Sequence, residues 1–193
     1  MMSELQSKSF FPTDFYSVNI LNEVENDLYE NELVKLSKAE KTQNHSNCGG
    51  WQSNNNLWSN QSFKSLLDTS SKYIIQILSE KTKNHPQFVI RSMWGNINSK
   101  GDFNFTHTHP SGWMSAVYYI KVPDLNSKIV FEDPRPAAIM DFQNSCLGVN
   151  SYIEHAPKTG ELILFPSWLP HFVYPNQMDE LRISISFNIE LVV

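Results

Sequence analysis

FNFTHTHPSGWMSAVYYIKVP, from Phe103 to Pro123, is the stretch whose reading decides the fold. It sets two histidines two residues apart, His107 and His109, ahead of a long aromatic run that closes on a proline. On a strand, residues i and i+2 point to the same face, about 6.6 Å apart along the chain, so two such imidazoles converge on one ion. An isolated HxH more often marks two polar residues on an exposed strand. Here the β-prone run SGWMSAVYYIKVP weighs against that, because it is what a motif at the mouth of a barrel strand would be followed by. A third histidine, His171, comes directly after GELILFPSWLP (Gly160–Pro170), a buried-strand pattern ending in a proline-bounded turn. Three imidazoles brought together from separated stretches complete one triangular face of an octahedron and leave the other positions open.

Eleven residues beyond His171 lies Arg182, in LRISISFNI (Leu181–Ile189). Alternation puts Arg182, Ser184, Ser186 and Asn188 on one face and Ile183, Ile185, Phe187 and Ile189 on the other. The bland reading is that the polar face meets water. The sharper reading is that it faces a ligand cavity, where Arg182 grips a carboxylate in a bidentate contact and Ser184 adds a hydroxyl donor. A buried guanidinium without a counter-anion is costly, so an inward Arg182 calls for an anionic ligand.

Outward from these motifs, the pattern predicts strands near 87–97, 103–109, 113–122, 128–132, 150–155, 160–166, 171–174 and 181–192. Two helices precede them. One runs from about Leu21 to Ser37 with Leu21, Val24 and Leu28 on its apolar face and its glutamates solvated. The other runs from about Ser62 to Glu80 with Phe63, Leu66, Leu67, Ser70, Ile74, Ile77 and Leu78 in one stripe. The fold class that follows is mainly β with α: a double-stranded β-helix, or jelly roll, with two N-terminal helices packed on the larger sheet. The expectation is one domain over residues 1–193, a helical front over 1–84 and a jelly-roll core over 85–193. Segment 133–149 reads as a long loop of the kind that serves as a lid or binding element.

Composition narrows the class of function. The net charge is −5 and only three arginines occur, Arg91, Arg135 and Arg182, so no nucleic-acid partner is expected. The N-terminal MMSELQSKSF has no apolar core of a signal peptide, and no run is long enough to cross a bilayer. Cys48 and Cys146 lie far apart and read as free thiols of a reducing compartment, which predicts a cytoplasmic location, in a bacterial or phage-infected cell.

HxH, a distal His and RxS about ten residues later together resemble the iron(II)- and 2-oxoglutarate-dependent oxygenases. More narrowly, the chain is similar to a small family of such proteins from bacteria and phages. The stretches that carry the likeness are GGWQS (Gly49–Ser53), SMWGNINSKGDFNFTHTHPSGWMSAVYYIKVP (Ser92–Pro123), FEDPR (Phe131–Arg135), GELILFPSWLPHFVYPN (Gly160–Asn176) and RISISFNI (Arg182–Ile189). The resemblance implies that His107, His109 and His171 ligate Fe(II). It implies that Arg182, helped by Ser184, binds the distal carboxylate of 2-oxoglutarate. Dioxygen and an unidentified prime substrate would be the partners, and succinate and CO2 the coproducts. His109 stands where the wider superfamily carries Asp or Glu, so three neutral imidazoles would leave the full 2+ charge on the metal. Asp102, five residues before His107, is a weak alternative ligand.

Asn96 and Trp94 precede the motif and could line the cosubstrate pocket, although core packing is the simpler reading of Trp94. Of Tyr118 and Tyr119 only one can face inward, and Tyr118 is assigned to the pocket. His45, His85 and His155 read as surface or structural residues. Two other readings stay open. Gly101-x5-His107-x-His109 with Gly160 and His171 approximates the cupin motifs, and some cupins are three-histidine dioxygenases that use no 2-oxoglutarate; the cupin glutamate after His109 is missing here, and Arg182 has no role in that scheme. A non-catalytic metal- or ligand-binding jelly roll is the third.

Overall fold

The computed structural model of the protein describes residues 5–84, 86–140 and 151–192. In chain order its elements are β1 (Tyr16–Asn19), α1 (Glu23–Ala39), β2 (Asn47–Cys48), β3 (Trp51–Gln52), α2 (Lys64–Lys81), β4 (Gln87–Asn98), β5 (Phe103–His107), β6 (Met114–Lys121), β7 (Ile129–Glu132), the single turn α3 (Pro136–Ile139), β8 (Tyr152–His155), β9 (Glu161–Pro166), β10 (His171–Val173) and β11 (Arg182–Val192). A six-stranded sheet has the order β1-β9-β6-β11-β4-β3, and a five-stranded sheet has the order β2-β5-β10-β7-β8. The paired strands are antiparallel throughout. This is the expected jelly roll, with both helices on the larger sheet.

The large sheet is buried on both faces, and β4, β6, β9 and β11 divide their side chains by parity. Toward the helices go Met93, Ile97, Ala116, Tyr118, Ile120, Leu162, Leu164, Ile183, Ile185, Phe187 and Ile189, which pack with Tyr29, Leu33, Phe63, Leu66, Ile74 and Ile77. Inside the barrel a smaller cluster of Tyr119, Ile129, Phe131, Ile163, Phe165 and Leu169 fills one end. Leu33 approaches the sheet so closely that a Cβ on Gly95 would lie 2.4 Å from its Cδ2, so glycine there sets the helix–sheet distance.

Helix α1 buries a different face from the expected one. Asn26, Tyr29 and Leu33 are buried, whereas Val24 is 81% and Leu28 49% exposed. The polar Asn26 goes inside because both ends of its amide are satisfied: Nδ2 donates to Ile120 O at 3.0 Å, and Oδ1 accepts from Tyr118 Oη at 3.0 Å. The acidic residues are not all solvated either. Glu30 pairs with Lys121 at 3.0 Å, and Glu25 accepts from Ser65 Oγ at 2.6 Å.

Three strands before residue 85 were not expected. β1 pairs with β9, β2 with β5 and β3 with β4, so the front of the chain contributes edges to both sheets. Gly49 and Gly50, with φ of +68° and +65°, turn the chain from one sheet to the other. A Cβ on Gly49 would fall 2.0 Å from Asp102 Oδ1, so this corner is closed to larger residues on steric as well as conformational grounds. Loop 133–149 contains the short turn α3, and its residues 141–149, with Cys146, lie outside the described residues, as does His85. Cys48 is a free thiol. Among the described residues no helix is long and apolar enough to cross a membrane.

Candidate metal centre and cosubstrate cavity

His107 ends β5 and His171 begins β10, and the two are register partners across the small sheet. His109 lies beyond the end of β5, where its backbone N–H donates to Ser167 O at 2.8 Å. The two histidines of the HxH therefore do not sit on one continuous strand. They meet although the strand ends at His107. The ring centroids lie 4.9 Å apart for His107 and His109, 4.3 Å for His107 and His171, and 5.2 Å for His109 and His171. One ligand atom from each falls within 4.8 Å of the others, and among the described residues this is the cluster suited to a metal.

The rings are held as neutral ligands. His107 Nδ1 lies 2.7 Å from Phe105 O and His171 Nδ1 lies 2.9 Å from Leu169 O. A carbonyl can only accept, so each Nδ1 carries the proton and each Nε2 keeps its lone pair. Burial lowers all three pKa values. His171, repelled also by His107, falls to about 3, His109 to about 4, and His107 shifts the same way. Neutral imidazole donors of this kind fit a divalent transition metal. Asp102 is not among them. Its Oδ2 accepts from Ser99 N at 2.7 Å and caps the turn between β4 and β5.

A narrow cavity runs inward from the histidines along the barrel face of the large sheet. β11 supplies Arg182, Ser184, Ser186 and Asn188, as the alternation predicts, and β4 supplies Trp94, Asn96 and Asn98. Arg182 closes the inner end at 4% exposure. Its Nη1 donates to Tyr174 O at 2.9 Å, while Nη2 is buried with no hydrogen-bond partner among the described residues. Burial pulls the guanidinium down to about 10, partly offset by Tyr119, Asp102 and Asp124, so it stays cationic at neutral pH. A buried cation with an orphaned donor, in the lining of a cavity, fits the far carboxylate of a bound dicarboxylate. Asn96 lines the same wall, with its Nδ2 3.3 Å from Ser186 Oγ.

Two assignments need correction. Tyr118 does not reach the cavity: it faces α1, bonded to Asn26, and burial raises its pKa to about 12. Its neighbour Tyr119 is the inward residue, beside Arg182, and burial raises its pKa further. Parity on β6 decides this, since Tyr119 stands opposite Ser184 on β11. Trp94, read as core packing, instead lies 5.5 Å from the His109 ring and lines the cavity. Sequence reading also passed over Ser46, whose Oγ lies 3.4 Å from His107 Nε2. It belongs to a polar loop without periodicity, so no pattern marked it. Of the other histidines, His155 pairs with Glu161 at 3.0 Å, and His45 lines a wider groove outside the triad.

That groove has a volume of about 470 Å³ and opens over the outer side of the histidines. Ser46, Trp94, His107, His109 and Asn188 line both it and the inner cavity. The arrangement thus has a cationic inner end, a histidine triad and an outer groove.

A family model described as "Putative 2OG-Fe(II) oxygenase" matches residues 92–188, just over half of the chain. The chain belongs to this family of 2-oxoglutarate- and iron(II)-dependent oxygenases. Among solved structures it is similar to the non-heme alpha-ketoglutarate-dependent carbocyclase SnoK from nogalamycin biosynthesis, with a TM-score of 0.71, 9% identity, and 92% of this chain and 80% of that one covered. HygX from Streptomyces hygroscopicus, solved with nickel, 2-oxoglutarate and hygromycin B, matches with a TM-score of 0.67, 12% identity, and coverage of 92% and 83%. A Pseudomonas putida prolyl-4-hydroxylase gives 0.67 and 14%, with 93% of each chain covered. At such identities these likenesses establish the shared fold. Comparison with curated proteins gives no match.

Proposed function

We propose that the protein is a hydroxylase in which His107, His109 and His171 hold iron(II) and Arg182, Ser184, Asn96 and Tyr119 receive 2-oxoglutarate. The observation that carries this reading is the buried Arg182 Nη2, unpartnered among the described residues, in the same cavity as the triad. A cupin-type dioxygenase that used no 2-oxoglutarate would leave that buried charge without a purpose.

Iron(II) with 2-oxoglutarate supplies the activation of dioxygen, with succinate and CO2 as coproducts and an oxidised second substrate. The chain's own residues set the geometry. The carbonyls of Phe105 and Leu169 fix the tautomers of His107 and His171, which keeps their Nε2 atoms ready as donors. Arg182 anchors the inner carboxylate, and Ser184 and Tyr119 stand beside it with hydroxyl donors. Phe165, in edge contact with His171 at 4.8 Å, and Ile129 and Val173 give the cavity a dry wall that strengthens these contacts. His109 in place of a carboxylate leaves the ligand set neutral, so a dianionic cosubstrate balances the metal's charge. A cytoplasmic setting belongs to this reading and is supported by the free thiol of Cys48.

The test is succinate formation from 2-oxoglutarate by the iron-loaded protein under air. The expected result is slow uncoupled turnover that requires iron(II) and is absent in His171→Ala. Oxidation of a substrate without any 2-oxoglutarate requirement would favour the cupin-type reading instead.

A further inference from the structure

We propose that the outer groove accepts an uncharged substrate, one whose reacting carbon is flanked by hydroxyl or amide groups and which carries no phosphate, carboxylate or ammonium within the groove. This rests on the reading above, since the groove is a substrate site only if the triad holds a reactive metal.

The first ground is position. The groove shares His107, His109 and Trp94 with the inner cavity, so a molecule seated in it reaches the triad, while Arg182 lines the inner cavity alone. The second is charge. Among the described residues twelve line it, and none of these is Asp, Glu, Lys or Arg. A surface of ordinary composition carries roughly 25–35% charged side chains, so about three or four would be expected among twelve. An ionised group brought against this wall would lose water and gain no counter-charge from the side chains described there. The same chain does supply a guanidinium where the inner cavity needs one, so the neutrality of the groove is a local property.

The third ground is the chemistry offered in place of charge. Gln52, Asn55 and Asn188 present amides, each both a donor and an acceptor, and Ser92, Thr106 and Thr108 present hydroxyls. Ser115 Oγ donates to Asn188 Oδ1 at 2.9 Å, which fixes the orientation of that amide beside the triad. Trp94, 9% exposed and packed against His109, gives a flat apolar face next to the reacting position. Such a lining matches a C–H-bearing face edged by neutral polar groups.

Matched probe pairs that differ in charge test this on the full chain loaded with zinc(II) and 2-oxoglutarate, with binding read by saturation-transfer NMR at millimolar concentration. The pairs are N-acetylproline methylamide against proline, and methyl glucoside against glucose 6-phosphate. The expected result is transfer to at least one neutral member and none to its charged partner. Asn55→Lys, at an exposed position on the groove wall, should then raise the relative affinity for glucose 6-phosphate about fivefold. Transfer to a charged member equal to or above that of its partner, or no transfer to either neutral probe, would overturn the proposal. Calorimetry of 2-oxoglutarate binding on the same sample separates the two layers. If 2-oxoglutarate binds and the charged probes win, only the groove assignment fails; if it does not bind, the reading beneath it fails.

Discussion

The two faces of the six-stranded sheet carry opposite chemistry at adjacent residues. On β11, Ile183, Ile185, Phe187 and Ile189 are fully buried against the helices, while Arg182, Ser184, Ser186 and Asn188 line the cavity. On β6, Tyr118 faces α1 and Tyr119 faces the cavity. A step of one residue therefore separates what holds the fold from what would bind the cosubstrate. If that division is real, substitutions on one face should move stability and leave binding alone, and substitutions on the other should do the reverse.

The largest effect is expected at the metal ligands. His107→Ala or His171→Ala should cost more than about a hundredfold in iron(II) affinity, beyond what loss of a mere supporting partner causes. Metal content after gel filtration reads it, and the fold should survive. Next comes the helix side of β11. Ile185→Ala should lower the unfolding free energy by about 2–5 kcal/mol in a denaturant titration, with 2-oxoglutarate affinity of the folded protein unchanged.

The tyrosine pair then sharpens the comparison at neighbouring positions. Tyr118→Phe leaves Asn26 Oδ1 without its donor and should cost about 1–3 kcal/mol of stability with no change in 2-oxoglutarate affinity. Tyr119→Phe should weaken 2-oxoglutarate about two- to tenfold, the worth of one hydrogen bond, and leave the denaturation midpoint in place.

A further effect concerns pH. In an unfolded chain the imidazoles titrate near 6.5. In the folded metal-free protein, burial first and then the neighbouring His107 hold His109 at about 4 and His171 at about 3. Between these values the unfolded state binds more protons, so this contribution to stability is present above about 6.5 and is lost as the pH falls toward 4 and 3. The urea midpoint of metal-free protein should accordingly drop between about pH 7.5 and pH 5.

Strand periodicity made much of this legible. β11 reads correctly because a period of two offers only two faces, and a fully polar one in a buried strand has few explanations. The same logic could not choose between Tyr118 and Tyr119, since both belong to a strand buried on both sides. That choice depended on the register that sets Tyr119 opposite Ser184, with Tyr118 left to meet Asn26, 92 residues away in the chain. Helix α1 misled for a related reason. Leu21, Val24 and Leu28 form an apolar stripe, but Asn26, Tyr29 and Leu33 form the buried one, and a polar residue with tertiary partners looks like a surface residue in sequence. Strands β1, β2 and β3 are two to four residues long, too short to show a period, and form only by pairing with distant strands. The HxH pointed to two histidines that do meet His171, by an argument that holds only in part, because the strand stops at His107.

The central claim is that the triad and Arg182 grip opposite ends of one 2-oxoglutarate. Anaerobic titration of the iron(II) protein with 2-oxoglutarate, followed by the visible charge-transfer absorption of the chelate, tests it most directly. A saturable band is expected in the wild type. In Arg182→Ala, with iron still bound, the half-saturation point should lie roughly thirtyfold higher or more, as when a buried charge pair loses one member. A half-saturation that does not move, or no band at all in the wild type, would contradict it.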